Sequence, residues 1–276
     1  MKIVKYAIIT LFVVSIAVYT WNWHNNKKNA DSTIPVIEIG KEQIDVSVKD
    51  MDEDLLKDVV AKDDKDGDIT DKIVVESISK FIDKEKKICK VTYAVSDSDN
   101  HVVKASRNIR ITDYRPPHFK LKQSLCFETG SETSIKNIIG AEDVIDGDIS
   151  KKVKVLSKEI STNISGDNVI TAQVTNSLGD TATLKAVVII KQENNLSPEI
   201  ILTKNIEYLK KGDEFHPQKY VKEAKDNQGE KISVGEVEVT SSSVKTHKAG
   251  CYLVQYQVTD KKGNEGFAYL TVMVEE

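Results

Sequence analysis

Two patterns of apolar and polar residues divide the chain. The first is an uncharged run from Tyr6 to Trp23 (YAIITLFVVSIAVYTWNW), preceded by Lys2 and Lys5 and followed by Lys27 and Lys28. As a helix at about 1.5 Å per residue it reaches roughly 27 Å, close to the apolar thickness of a bilayer. Tyr6, Tyr19, Trp21 and Trp23 stand at its two ends, where aromatic rings settle at headgroup depth. The run predicts a transmembrane signal-anchor over 6–23, with a short cytoplasmic end at 1–5 and a linker at 24–33. The competing reading is a cleaved signal peptide, because Ser15-Ile16-Ala17 offers small residues at cleavage spacing. Cleavage there leaves an end beginning Val18-Tyr19-Thr20-Trp21, still apolar and aromatic.

The second pattern is alternation with a period of two, the mark of half-buried strands. It is clearest in Val91-Thr92-Tyr93-Ala94-Val95-Ser96-Asp97 and in Val254-Gln255-Tyr256-Gln257-Val258-Thr259-Asp260. Ile170-Thr171-Ala172-Gln173-Val174-Thr175-Asn176 repeats it with Ala172 in place of the Tyr. Each run passes through a polar turn into a last strand, at Ser106 to Ile111, Lys185 to Ile190 and Leu270 to Val274. Upstream of each lies a second recurring segment: Ala61-Lys62-Asp63-Asp64-Lys65-Asp66-Gly67-Asp68-Ile69-Thr70, then Ala141-Glu142-Asp143-Val144-Ile145-Asp146-Gly147-Asp148-Ile149-Ser150. The third copy, Ala224-Lys225-Asp226-Asn227-Gln228-Gly229-Glu230-Lys231-Ile232-Ser233, is one residue shorter before its Gly.

Such repetition predicts three units of one kind. Pro-bearing links at Tyr114-Arg115-Pro116-Pro117 and Glu193-Asn194-Asn195-Leu196-Ser197-Pro198 separate them; Pro lacks a backbone donor and suits a strand entry or a semi-rigid joint. The boundaries fall at 34–114, 115–194 and 195–276. Each unit holds about seven short strands, so the fold class is all-β: three tandem β-sandwiches of immunoglobulin type behind one N-terminal transmembrane helix. Met51 to Val60 is the one place where a helical turn suits the spacing of Leu55, Leu56 and Val59. Sandwiches with short links are expected to stack end to end.

The pairing of an Asp-Gly-Asp-Ile-Thr/Ser turn with a Tyr-x-Val-Thr-Asp-x-x-Gly-Asn strand end resembles the bacterial Ig-like domains first named from pesticidal crystal proteins. The resemblance runs from Thr33 to Glu276. It is strong for the Asp-Gly-Asp turn in copies one and two and for the strand end in copy three; copy two has Ala172 at the Tyr position and copy three lacks the Asp-Gly-Asp turn. It implies an extracellular setting on Gram-positive bacteria and no enzyme activity.

Charge sharpens the picture. Lys and Arg number 39 and Asp and Glu 43, a net charge of −4, so no nucleic-acid footprint is expected. With Lys2, Lys5, Lys27 and Lys28 set aside, 35 basic residues face 43 acidic ones and the rest carries −8. Anionic lipid or polyanionic wall polymer repels such a surface. The acidic turns offer a calcium site at Asp64, Asp66 and Asp68, with Asp143, Asp146 and Asp148 equivalent in copy two, because calcium takes six to eight oxygens. EF-hand spacing fails, since Lys62 and Ile73 fall at the first and twelfth loop positions. The alternative is a tight Asp-Gly turn whose carboxylates accept backbone N–H bonds. No other cofactor is expected.

Cys89, Cys126 and Cys251 fall one to a repeat, so no repeat holds an internal disulfide. Cys89 shares the phase of Val91, Tyr93 and Val95 and belongs in a core. Cys251 has the opposite phase to Tyr252, Val254 and Tyr256 and is expected to face solvent. No nucleophile elbow, Cys–His pair or H-E-x-x-H helix occurs, so no enzyme is expected. Both Trp lie at the membrane rim and Tyr114, Tyr208, Tyr220 and Tyr269 are scattered, which predicts no sugar-stacking platform. The function expected is a non-enzymatic interaction or adhesion module, held at the cell membrane with its C-terminal domains extracellular, or secreted if the N-terminus is cleaved. The third and most divergent domain would meet a protein or cell-wall ligand. A passive stalk or spacer is the alternative, and an enzyme a distant third.

Overall fold

The computed structural model describes residues 2–29, 33–131, 134–192 and 194–276, with side chains of the N-terminal helix described from 8 to 25. That helix, α1 (Lys2–Asn29), runs 28 residues. The transmembrane expectation over 6–23 is not supported: among the described residues no helix is long and apolar enough to cross a membrane. Asn22, His24 and Asn25 dilute the described apolar stretch, and the Tyr6 and Ala7 side chains at its other end lie outside the described residues.

The rest is all-β and repeats one topology three times. The first copy contains β1 (Val36–Ile39), β2 (Gln43–Val46), α2 (Met51–Leu55), β3 (Val59–Asp63), β4 (Gly67–Asp68), β5 (Val74–Ile78), β6 (Ile88–Ser96) and β7 (Val102–Ile111). The second contains β8 (His118–Leu121), β9 (Cys126–Glu128), α3 (Ile135–Ile138), β10 (Ile139–Asp143), β11 (Gly147–Asp148), β12 (Lys154–Val155), β13 (Gly166–Thr175) and β14 (Thr181–Lys191). The third contains β15 (Glu199–Leu202), β16 (Ile206–Lys210), β17 (Val221–Lys225), β18 (Lys231–Ile232), β19 (Glu238–Ser242), β20 (Gly250–Thr259) and β21 (Glu265–Glu275). In each copy the first, third and fourth strands form one sheet and the second, seventh, sixth and fifth form the other. The second strand runs parallel to the seventh, as in β2–β7, β9–β14 and β16–β21; every other pairing is antiparallel.

The two sheets of a copy close on side chains from both. In the second copy Phe119 and Ala141 of one sheet meet Ile170, Leu184 and Val188 of the other, and in the third Ala224 meets Val254, Tyr256 and Leu270. These are the apolar phases of the alternating runs, so burial follows the strand period. Tyr93 and Tyr256 are fully buried and turn their polar ends to backbone. The Tyr93 hydroxyl donates to the Leu55 carbonyl at 2.6 Å, the last residue of α2, and the Tyr256 hydroxyl donates to the Pro217 carbonyl at 2.8 Å. Arg107, buried beside Tyr93, donates through Nε to its hydroxyl at 2.9 Å and through one terminal nitrogen to the Leu55 and Lys57 carbonyls.

The chain divides into two compact units, 1–112 and 113–276. Within the second unit the two sandwiches are not stacked end to end, as the linkers alone suggested. The outward face of β21 is covered: Tyr269 is 5% and Thr271 2% exposed although both point away from their own core. Outward-pointing Ile189 of β14 is likewise buried, and Ile206, Cys251 and Met273 pack against the core of the second sandwich. The contacts fix the direction. Lys191, at the end of β14, places its ammonium over Phe267 near the start of β21, 3.4 Å from the ring centroid. His118, at the start of β8, stacks on Tyr208 with ring centroids 3.9 Å apart and brings Nε2 to 3.0 Å from Glu275 Oε1, close but off hydrogen-bond alignment. The Tyr208 hydroxyl accepts from the Phe119 amide at 2.6 Å, Ser124 Oγ donates to the Tyr269 carbonyl and Asn205 Nδ2 to the Leu121 carbonyl. The third sandwich therefore doubles back antiparallel along the second.

Register explains why this face is sticky. Tyr208 pairs with Met273; the same positions hold Cys126 and Ile189 in the second copy and Asp45 and Arg110 in the first. The Asp45–Arg110 pair is a solvated ion pair, and covering it would strip two charges of water. Two copies thus carry an apolar outer face and one a charged face. Cys251, expected at the solvent, lies under the second sandwich instead, and burial pushes its thiol up to about 11.

The substitution Met273→Asp buries an unpaired carboxylate and is expected to open this packing. Thiol alkylation followed by peptide mapping reads it out: Cys251 should react slowly in the native chain and at least about tenfold faster in the variant, while Arg110→Asp leaves it unchanged. In the first copy, Arg107→Ala leaves the Tyr93–Leu55 hydrogen bond in place but removes the Arg107 donors to the Tyr93 hydroxyl and to the Leu55 and Lys57 carbonyls, and is expected to destabilise that unit by roughly 3 kcal/mol in denaturant titration.

Candidate interaction loops

Two loop sets recur at one end of each sandwich. In the first, the Asp-Gly-Asp turn joins the third and fourth strands. Asp63 Oδ1 accepts from the Lys65 and Asp66 amides at 2.9 Å each, and Asp143 Oδ1 from the Ile145 and Asp146 amides at 2.9 and 3.0 Å. Gly67 and Gly147 follow at φ 75° and 68°, a left-handed conformation that favours glycine. The third copy closes its hairpin differently, without the motif: Asp226 Oδ1 accepts from the Gln228 and Glu230 amides, and the left-handed Gly229, at φ 87°, comes one position earlier.

The second loop joins the sixth and seventh strands. Asp97, Asn176 and Asp260 occupy its first position and hold backbone amides four residues on, at His101, Asp180 and Asn264. In the first two copies a carboxylate ties the loops together. Asp66 accepts from Ser98 N and Oγ at 2.6 and 2.7 Å, and Asp146 from Ser177 N and Oγ at 2.8 and 2.5 Å. Sequence reasoning missed this latch, although Ser at 98 and 177 against Lys at 261 was its visible signal. The Ser98 hydrogen bonds hold the Asp66 carboxyl below the usual range. Burial works against the same shift at Asp146, and Lys152 and Ser177 outweigh it.

The calcium candidates are accordingly dispersed. Asp64 is exposed; Asp66 and Asp146 face the serine loops; Asp68 Oδ1 accepts from the Thr70 amide and Asp148 Oδ1 from the Ser150 amide. Asp143 sits in a buried network instead: its Oδ2 accepts from Asn176 Nδ2, which also donates to the Tyr114 hydroxyl, itself a donor to Asp180. Among the described residues no three His, Cys, Asp or Glu side chains converge as a metal site requires. Cys89 is fully buried, as its phase implied, and burial pushes it to about 11. All three cysteines are free thiols.

The third sandwich is distinctive at its other end. Loop 211–216 and loop 243–249 meet through Gly212 N donating to the Thr246 carbonyl at 2.8 Å. Between them opens a groove of about 580 Å³, lined among others by Asp213, Phe215, His216, Val244, Lys245 and His247. Phe215 is propped by Tyr220, with ring centroids 5.7 Å apart. Both charge signs, two imidazoles and an aromatic edge share the groove, a set suited to polar recognition around one apolar contact.

The third domain and much of the chain are similar to known proteins. Residues 201–274 match the family model described as bacterial surface protein, Ig-like domain. The pesticidal crystal protein Cry22Aa of Bacillus thuringiensis is 28% identical over 221 residues, covering 78% of this chain and 29% of that protein. The chain thus spans under a third of that relative's length. Among solved structures, the M60 catalytic domain with CBM51-1 and CBM51-2 from Clostridium perfringens ZmpB aligns over 88% of this chain and 31% of its own at 14% identity, with a TM-score of 0.24. The protocadherin GammaB4 extracellular domain aligns over 88% of this chain and 49% of its own at 11% identity, with a TM-score of 0.22.

The loop latch has a defined pH dependence. A carboxyl held below its ordinary value stabilises the fold above the unfolded value near 3.8 and loses that contribution as pH falls through the folded one. Amide exchange is expected to show protection at Ser98 and Ser177, lost as the two carboxylates protonate below their ordinary value of 3.8 and in Asp66→Ala and Asp146→Ala respectively, with none at Lys261 at any pH. With the family match at 201–274 and a relative aligned over 221 residues, the chain resembles the bacterial Ig-like domains first named from pesticidal crystal proteins.

Proposed function

We propose that this chain is a non-enzymatic interaction module of the bacterial cell surface, which meets a protein or cell-wall ligand through the loop groove of its third domain. The carrying observation is that groove, formed by loops 211–216 and 243–249 and placed in the domain that matches the surface family. Loops held on a rigid sandwich are the usual seat of recognition, because they vary without cost to the core. The spacer alternative draws less support: a stalk gains reach from end-to-end stacking, and two of the three sandwiches double back on each other.

The N-terminal helix completes the proposal as an attachment to lipid. Ile8, Leu11, Phe12 and Val18 are all more than half exposed. Exposed apolar side chains of this kind, among the described residues of the helix, suit contact with lipid, and the C-terminal domains then stand outside the cell.

Co-sedimentation of the purified full chain with isolated cell walls, and crosslinking to purified envelope proteins, tests the groove. The double variant Lys245→Ala/His247→Ala, at two exposed positions of the groove, is expected to lower the bound fraction at least about tenfold with unchanged melting; equal binding by both chains would overturn the groove as the site, and binding by neither would support the spacer. For the helix, alkaline-washed membranes should retain the full chain and release one lacking residues 2–28.

A further inference from the structure

The second unit contains a cleft that neither the loop groove nor the turns account for. It opens where the second and third sandwiches meet at the linker, encloses about 420 Å³, and is lined by Phe267, Lys191, Gln192, Asn194, Glu128 and Glu199 among others. That volume lies at the small end of ligand cavities, which run from about 300 to 1,000 Å³. We infer that this cleft is a binding site for a short neutral saccharide, with the Phe267 ring as its stacking platform and Lys191 as a displaceable plug.

The chemistry of the lining favours a sugar over other small ligands. A pyranose presents one apolar C–H face and a rim of hydroxyls that donate and accept in pairs. Phe267 lines the cleft, and its ring face is the one the Lys191 ammonium covers. Two primary amides and two carboxylates line the same cleft, groups that exchange paired hydrogen bonds with vicinal hydroxyls. Glu128 and Glu199 repel an anionic ligand, and Lys191, still tethered at the rim when its ammonium swings out, offsets part of their pull on a cationic one. The expectation that no aromatic platform exists counted Trp and Tyr along the sequence; the platform is a Phe, and only the doubling back of the third sandwich walls it in.

Lys191 occupies the position a sugar would take. Its ammonium lies 3.4 Å from the Phe267 centroid and 4.9 Å from that of Tyr269. The cation holds the ring face with part of its hydration stripped, and burial lowers its pKa. A four-carbon stem lets the ammonium swing into water when another group stacks on the ring.

Saturation-transfer NMR and calorimetric titration of the full chain in detergent, with maltose, cellobiose and chitobiose as probes, test the inference. At least one should bind saturably in the native chain. Phe267→Leu, which keeps an apolar filler but removes the ring, should weaken binding at least about tenfold, whereas Lys191→Ala should tighten it severalfold. Phe215→Ala, in the loop groove, should leave it unchanged, which separates this site from the surface reading above. No binding of any probe to either the native chain or Lys191→Ala overturns the inference, as does binding that Phe267→Leu leaves intact.

Discussion

The covered outer face of β21 governs the second half of this molecule. In an isolated sandwich that face meets water, and the alternating residues on it are free to be polar. Here Tyr269 and Thr271 are as buried as core residues, and Met273 and Ile206 rest on the neighbouring sandwich. Burying apolar side chains of this size contributes about 1.5–3 kcal/mol each relative to exposure, so a few suffice to hold two domains together. The hydrogen bonds across the joint set direction more than strength. Tyr208 to Phe119 and Ser124 to Tyr269 are satisfied together only when the strands run antiparallel. Cleft and linker turn follow from that choice.

The same position-by-position comparison explains why the first copy is a unit by itself. Where the third copy has Tyr208 and Met273, the first has Asp45 and Arg110. Exposed ion pairs contribute little stability in place, but desolvating one is expensive. A single pair of register positions therefore decides whether this face docks or stays wet. The turns show a different economy. Asp63, Asp143 and Asp226 each hold two backbone amides, so the hairpin survives the loss of the Asp-Gly-Asp motif in the third copy. What that copy loses is the latch between loops, because Lys261 replaces the serine that Asp66 and Asp146 grip.

Much of the fold was legible before any coordinates. Alternation in Val91–Asp97 and Val254–Asp260 places Tyr93, Tyr256 and Cys89 on the core side, whereas of the helical turn expected over Met51 to Val60 only Met51–Leu55 is helical, and Val59, whose spacing suggested it, opens β3. The failures share one cause. A period of two separates the faces of a strand but does not say whether the outer face is covered by something distant in sequence. Cys251 was assigned to solvent for that reason, and Phe267 and Lys191 went unremarked although they meet across the joint. The signal was present as a contrast between copies, apolar against charged at equivalent outward positions. The acidic turns read differently: carboxylates close in sequence suggest a shared cation, and Asp66, Asp68, Asp143, Asp146 and Asp148 address nearby amides or hydroxyls.

The distance between spin labels at Lys120 and Lys211, measured by double electron–electron resonance, tests the central claim most directly. Both side chains are about half exposed, and they flank the contact between His118 and Glu275. Sandwiches doubled back on each other predict one narrow population below about 30 Å. End-to-end stacking would separate the labels by two strand lengths, roughly 70 Å at ~3.3 Å per residue, and a population there would contradict the account.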